Sequence, residues 1–513
     1  MDNAAPAERR LARESALVGA ATVASRLLGF ARDVLIARLL GTGPVADAFL
    51  AALRLPNLVR RLFSEGGLNA PFVPLYIAVK HEGGAQDASR FAGQALSFLA
   101  LVLLAFVGLG LVFAPWLVLA FAAGFHDDPA TLSLAAGFTR LMLPFVLLTT
   151  LASMLAALLN AEGRFALAAL APALMNAILV GFLLATLWID APQLIAAKWL
   201  AVLVSVTGLA HLALVGIGLA RSGLPRPSLR WSSPMRQLVT TGGATLLAAS
   251  IGQLVLLVST QIASAEPGAV AALYYADRLF QLPLGFVGVG MGTVVLSQMS
   301  AGDGAAQDAM LGRALVLGLA LSVPAAVALI ALAEPIVSAL FEHGRFGAQD
   351  RVSTAAALAA FALGLPFAVT AKVFGQLFFA RRKPRPALMA GLVALAAAAL
   401  CGIASVAPGQ TAALGAFAAS VAFVTQAGLL AVMLWRHGLW RPRPAIFRPL
   451  AAIAAASLVM LGCLLLLLPR FGAAIAPDQP VSIRLATLAL LCLAGLSAYA
   501  GAAWLFGLRR HLR

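Results

Sequence analysis

Arg26 and Arg32 lie in the apolar run that opens the chain, Asp47 and Arg54 in the next run, Asp277 and Arg278 in a later one, and Lys372 in another. A charge at the centre of a membrane helix costs roughly 2.5–3.5 kcal/mol on insertion scales, so such residues should face a water-filled cavity or one another. The surplus is cationic, and most of it is arginine. A guanidinium presents parallel N–H donors that grip phosphate bidentately, whereas a carrier of cations would need carboxylates. The chemistry on offer is recognition of a phosphate or diphosphate. A charged head carried on a polyprenyl tail would suit a basic cavity bordered by apolar helices. The plainer reading is structural: Arg32 beside Asp33 and Arg278 beside Asp277 can pair, and Lys372 and Arg38 can snorkel to a membrane face.

The elements that must hold these residues are membrane helices. Of 513 residues, 62% are hydrophobic and only 11% charged, far from the composition of a soluble domain. Apolar stretches of roughly 20 residues, each long enough to cross a hydrocarbon core, recur throughout with short polar breaks. They predict an all-α polytopic membrane protein of about fourteen transmembrane helices. The net charge of +16 would point to nucleic acid in a soluble chain; here it is sorted by topology. Lys80, Arg90, Arg164, Arg226, Arg230, Arg236, Arg313, Arg385, Arg436 and Arg448 fall at one set of helix ends, and only Arg345, Arg351, Arg470 and Arg484 at the other. The positive-inside rule then puts both termini in the cytoplasm, with no nucleic-acid partner expected. The first apolar run, with Arg26 and Arg32 inside it, reads as a retained helix and not a cleaved signal. Cys401, Cys463 and Cys492 sit in apolar runs at no metal or redox spacing and read as small hydrophobes, so no metal or cofactor is expected.

Helical geometry sharpens some of these positions. Tyr274, Arg278, Gln281, Gly285 and Gly288 follow steps of three and four and predict one face, polar at its start and small further along, suited to a cavity wall. Arg26 and Arg32 lie about 9 Å apart along an ideal helix and about 120° out of phase. They act together only if the helix bends, and Gly29 is a plausible place; Pro56 and Pro283 offer bends in their own helices.

A repeat organises the chain. Pro115-Trp116-Leu117, Gly124-Phe125 and Leu143-Pro144-Phe145 return in the same order, about 220 residues on, as Pro335-Ile336-Val337, Gly344-Arg345-Phe346 and Leu365-Pro366-Phe367. A unit of six spans entering twice from the same side is a parallel repeat of transporter type. The predicted domains are a six-helix lobe over 1–225, a second over 226–440, and two added helices over 441–513, whose Leu464–Leu468 run reads as lipid-facing.

At this point particular motifs become informative. Ser25-Arg26-Leu27-Leu28-Gly29-Phe30-Ala31-Arg32-Asp33, Ala46-Asp47-Ala48-Phe49, Leu55-Pro56-Asn57-Leu58-Val59-Arg60-Arg61, Glu65-Gly66-Gly67 and Ala70-Pro71-Phe72-Val73-Pro74 resemble the MurJ (MviN) peptidoglycan lipid II flippases, as does Tyr274-Tyr275-Ala276-Asp277-Arg278-Leu279. The resemblance covers essentially the whole chain. It implies membership of the multidrug/oligosaccharidyl-lipid/polysaccharide exporter superfamily, with two six-helix lobes and two helices bordering a lipid-accessible groove. It also implies that lipid II, the undecaprenyl-diphosphate-linked disaccharide pentapeptide, is moved from the cytoplasmic to the periplasmic leaflet of the bacterial inner membrane. Position by position, Arg26, Arg32, Arg60 and Arg278 look like the family's cavity arginines, Asp47 its cavity acid, Ser25 a neighbouring polar contact and Arg448 a groove residue. One departure is Ser297, where a proline is expected.

No phosphate-cradling Gly-rich pattern for ATP is present. The expected drive is the membrane potential, ahead of an ion site, since the seventh, eleventh and twelfth spans hold no Asp or Glu; a monomer suffices for this action. The alternatives are a flippase for another lipid-linked oligosaccharide and, in a different class, a membrane enzyme using polyprenyl diphosphates. The enzyme would need clustered carboxylates for magnesium. Only Asp127-Asp128 is adjacent, and with Pro129 following it reads as a helix start.

Overall fold

The computed structural model describes residues 4–62, 69–220, 223, 225–294, 304–380, 384–404, 407–440 and 444–508. Ser297 lies outside them. The described helices are α1 (Ala4–Leu40), α2 (Pro44–Leu62), α3 (Asn69–Val112), α4 (Ala114–Phe121), α5 (Pro129–Ala161), α6 (Phe165–Trp188), α7 (Gln193–Ala220), α8 (Ser233–Ala263), α9 (Ala269–Val294), α10 (Gly304–Ala331), α11 (Ala333–Phe341), α12 (Ala348–Ala380), α13 (Pro384–Cys401), α14 (Thr411–Arg436), α15 (Phe447–Ile475) and α16 (Val481–Leu505). No strand occurs among the described residues. Helix is the form that satisfies every backbone donor and acceptor within one segment, as the hydrocarbon core requires. Among the described residues nine helices are long and apolar enough to cross a membrane. α1 is not among them, because Arg26, Arg32, Asp33 and Arg38 interrupt it.

Two compact units divide the chain. The first comprises residues 1–40 and 44–253, the second residues 41–43 and 254–513. In the first, α5 is the hub, packing on α2, α3 and α7, while α1 pairs with α6. Asp128 starts α5 by accepting from the Thr131 amide at 3.1 Å and its hydroxyl at 2.6 Å, with Pro129 in the first turn, where a missing N–H costs nothing. Those hydrogen bonds from Thr131 hold the Asp128 carboxyl below the usual carboxylate range. At the far end of α5, Glu162 accepts 2.7 Å bonds from Lys80 and Tyr76 of α3. The Lys80 bond is the main reason the Glu162 carboxyl also sits below its ordinary value.

The second unit repeats this plan. α12 is its hub, packing on α9, α10 and α14, and α13 pairs with α14. The sequence repeat maps onto short helices: α4 precedes α5 with Pro144 inside it, and α11 precedes α12 with Pro366 inside it. Phe125 and Phe346, at matching places, are both buried. The added helices α15 and α16 pack on each other and on α10, where the Tyr499 hydroxyl donates to the Ala320 carbonyl at 2.7 Å. In the Leu464–Leu468 run, Leu465 and Leu466 are exposed as expected, but Leu464 is buried, turned inward against Gly495 of α16.

Arg484, counted in the sequence only among the few charges at the less basic set of helix ends, is 2% exposed in the first turn of α16. Its guanidinium donates to the Ser338 and Glu342 carbonyls at 3.1 and 3.3 Å, closing the C-terminus of α11, and lies 2.7 Å from His343 Nδ1. Arginine carries only donors, so that nitrogen must accept. A cation suits a helix C-terminus, where unpaired carbonyls concentrate negative charge.

Candidate functional site

In the first unit Ser25 and Arg32, of the candidate residues, meet where α1 crosses α6. Arg32 Nε and Nη2 both donate to Asp33 Oδ1, at 3.0 and 2.7 Å, and Nη1 donates to Asn176 Oδ1 at 3.0 Å. Asn176 returns its amide to the Ser25 carbonyl at 3.0 Å. One α6 side chain therefore ties both ends of the Ser25–Arg32 segment. The Arg32 side chain is 20% exposed and that of Asp33 only 4%. The edge of the guanidinium best shaped for a phosphate, Nε with Nη2, holds Asp33. A phosphate arriving here competes with that carboxylate for the same two donors.

Gly29, expected as a bend, stays within the unbroken helix α1. Its use is close approach: a Cβ there would stand 3.3 Å from Asn176 Nδ2, so the absent side chain is what lets the amide reach the backbone. Arg26 lies exposed on the same helix, with no hydrogen-bond or ion-pair partner among the described residues. Asp47 is 1% exposed in the first turn of α2, where open amides and the helix dipole favour a carboxylate. Half-buried Arg60 lies towards the other end of α2, within electrostatic reach of His211 of α7, whose Nδ1 is buried with no hydrogen-bond partner among the described residues.

In the second unit Arg278 lies over the Tyr274 ring, 4.4 Å from its centroid, one helical turn along α9. Cation–π packing of this kind orients the guanidinium while using none of its N–H donors. Asp277 does not appear as its ion-pair partner; it accepts from Gln281 Nε2 at 2.6 Å. The expected wall of α9 changes accordingly: Tyr274 is buried beneath Arg278, Gln281 turns to Asp277, and Gly288 falls outside the described side chains. Arg448 is exposed at the start of α15, and Lys372 is exposed on α12.

Sequence reading missed Asn176 and His211. Each is a polar residue within an apolar run, a signal of function in a membrane helix, but nothing local pairs Asn176 with residues 144 and 151 positions away.

With this geometry in hand, similarity to known proteins is informative. A family model described as the lipid II flippase MurJ matches residues 36–478. The chain is 36% identical over 510 residues to the probable lipid II flippase MurJ of Rhizobium meliloti (strain 1021), covering 97% of this chain and 94% of the relative. It is 32% identical over 510 residues to the lipid II flippase MurJ of Burkholderia cenocepacia, covering 95% and 96%. The fold resembles a solved lipid II flippase MurJ in an inward closed conformation, at TM-score 0.78 and 23% identity, covering 97% of this chain and all of that one. It also resembles an inward-facing multidrug resistance MATE family transporter of the MOP superfamily, at TM-score 0.65 and 14% identity, covering 81% and 95%. A partly buried arginine fork, a helical plan repeated in two units and similarity along nearly the whole length converge: the chain belongs to the MurJ lipid II flippase family.

Proposed function

We propose that this protein flips lipid II from the cytoplasmic to the periplasmic leaflet of a bacterial inner membrane, as a transporter and not an enzyme, for peptidoglycan synthesis. The observation that carries the reading is the Arg32 fork, oriented by Asp33 and Asn176, in a chain related along 97% of its length to a protein named as a probable lipid II flippase. In the first unit Arg26, Arg32 and Arg60 take the diphosphate, with Ser25 as a neighbouring polar contact and Asp47 as the balancing acid. In the second unit Arg278 does so from its seat on Tyr274, and Arg448 lies along the path of the lipid tail. The chain crosses the membrane fourteen times as two six-helix lobes over 1–225 and 226–440 with two added helices over 441–513, both termini cytoplasmic, and acts as a monomer.

The drive is electrical. One elementary charge crossing the full potential gains about 2.3 kcal/mol per 100 mV, so an anionic head group moving outward from a negative interior runs downhill. The test is a leaflet-resolved assay of lipid II accessibility in cells that depend on this protein. Lipid II reaches the outer leaflet with the native chain and stays inside with alanine at Arg26, Arg32 or Arg278. Inner-leaflet trapping with the native chain points to another lipid-linked oligosaccharide, and full rescue by all three variants overturns the arginine assignment.

A further inference from the structure

Between α7 and α8 the chain runs without helix or strand through Pro225-Arg226-Pro227-Ser228-Leu229-Arg230-Trp231-Ser232 and lies against α3 from Gly93 to Phe98. The Ser228 amide donates to Ser97 Oγ at 3.0 Å, and Ser232 Oγ donates to Gln94 Oε1 at 2.5 Å. The Trp231 ring meets Phe98 edge to face, with centroids 5.4 Å apart. Gly93 has no room for a Cβ, because the Arg226 carbonyl lies against it. Pro225 and Pro227 lack amide donors, so a strap without a ladder partner strands fewer of them.

What the strap turns outward is mixed in a particular way. Leu229 is 72% and Trp231 56% exposed, and Arg226, Arg230 and Arg236 are all exposed around them. Its depth follows from the helix beneath. α3 carries no charge from Phe91 to Val112, with Arg90 immediately before that run. At 1.5 Å per residue, Gly93 stands about 28 Å and Phe98 about 21 Å from Val112, close to one hydrocarbon thickness of about 30 Å. The strap therefore crosses α3 where acyl chains give way to head groups, the level at which Trp and Arg are enriched.

We propose that residues 225–236 form an interfacial site for anionic phospholipid head groups. Arg226, Arg230 and Arg236 take the phosphates, and Leu229 and Trp231 enter the acyl boundary. Naming the leaflet cytoplasmic rests on the orientation proposed above; the site itself does not.

The test uses the full chain with its three cysteines replaced by serine, Leu229→Cys carrying a fluorescent label, in phosphatidylcholine nanodiscs. Brominated acyl chains are supplied at one fixed fraction, attached either to phosphatidylglycerol or to phosphatidylcholine. Brominated phosphatidylglycerol quenches the label about twofold more strongly, and R226Q/R230Q/R236Q abolishes the preference. Gly93→Val lifts the strap with its arginines intact and abolishes it too. Equal quenching by the two lipids, quenching only by aqueous iodide, or a preference that survives either variant overturns the proposal. Lipid II is absent from the assay, so the result is independent of whether the chain flips it.

Discussion

Arg32 in the first unit is held by the side chains of Asp33 and Asn176 and Arg484 in the second mainly by backbone carbonyls, and their settings differ in kind. Arg484 is 2% exposed and spends its donors on the Ser338 and Glu342 carbonyls and on His343 Nδ1. Among the described residues no carboxylate bonds it directly; Glu342 instead bonds Arg351 and Ser338. Arg32 is partly open and faces an acid whose displacement would release its best edge. The first arrangement fixes a helix end. The second is a partly exposed ion pair oriented by Asn176, which suits the phosphate-binding role proposed for it.

The contrast makes unequal predictions. Arg484→Leu should have the largest effect on the fold: two carbonyls and a histidine lose their donor, at a cost of about 3 kcal/mol or more. Thermal unfolding of the purified protein should show a clearly lowered midpoint; an unchanged one would mean that Arg484 does not fix the end of α11. Arg32→Ala should impair both fold and transport, because it strands nearly buried Asp33. The double variant Arg32→Gln/Asp33→Asn separates the two effects, with a near-native melting temperature and no complementation of a flippase-depleted strain. Recovery of growth by that double variant would make the pair structural. Asn176→Ala should be mildest, costing about 1 kcal/mol, or roughly a fivefold slower appearance of lipid II outside, with Asn176→Asp recovering part of it by restoring the acceptor for Arg32. Equal losses from Ala and Asp would mean that Asn176 serves the Ser25 backbone rather than the guanidinium.

Much of this was legible from local rules. Helices could be read from apolar runs because a bilayer leaves the backbone few other forms. The Tyr274–Arg278 pair could be read because residues four apart share a helix face, and the Arg32–Asp33 pair because the two are adjacent. What escaped is non-local. Asn176 looks like an isolated amide until α1 and α6 cross, and Gly29 looks like a hinge until its missing Cβ is seen to admit that amide. Arg484 carried the least signal, since an exposed and a buried arginine at a helix end have the same sequence surroundings, and only the approach of α11 distinguishes them.

The strap on α3 also has a consequence for the order of assembly. Ser97 meets a partner 131 residues later, and Gln94 one 138 residues later. At roughly 5–20 residues per second, the furrow at Gly93 waits on the order of ten seconds during synthesis while α4 to α7 emerge. Only then can the segment leading into α8 settle. A chain stopped after α7 would hold α1 to α7 complete and still leave the furrow at Gly93 open, so the first unit is finished only once the segment leading into α8 has emerged.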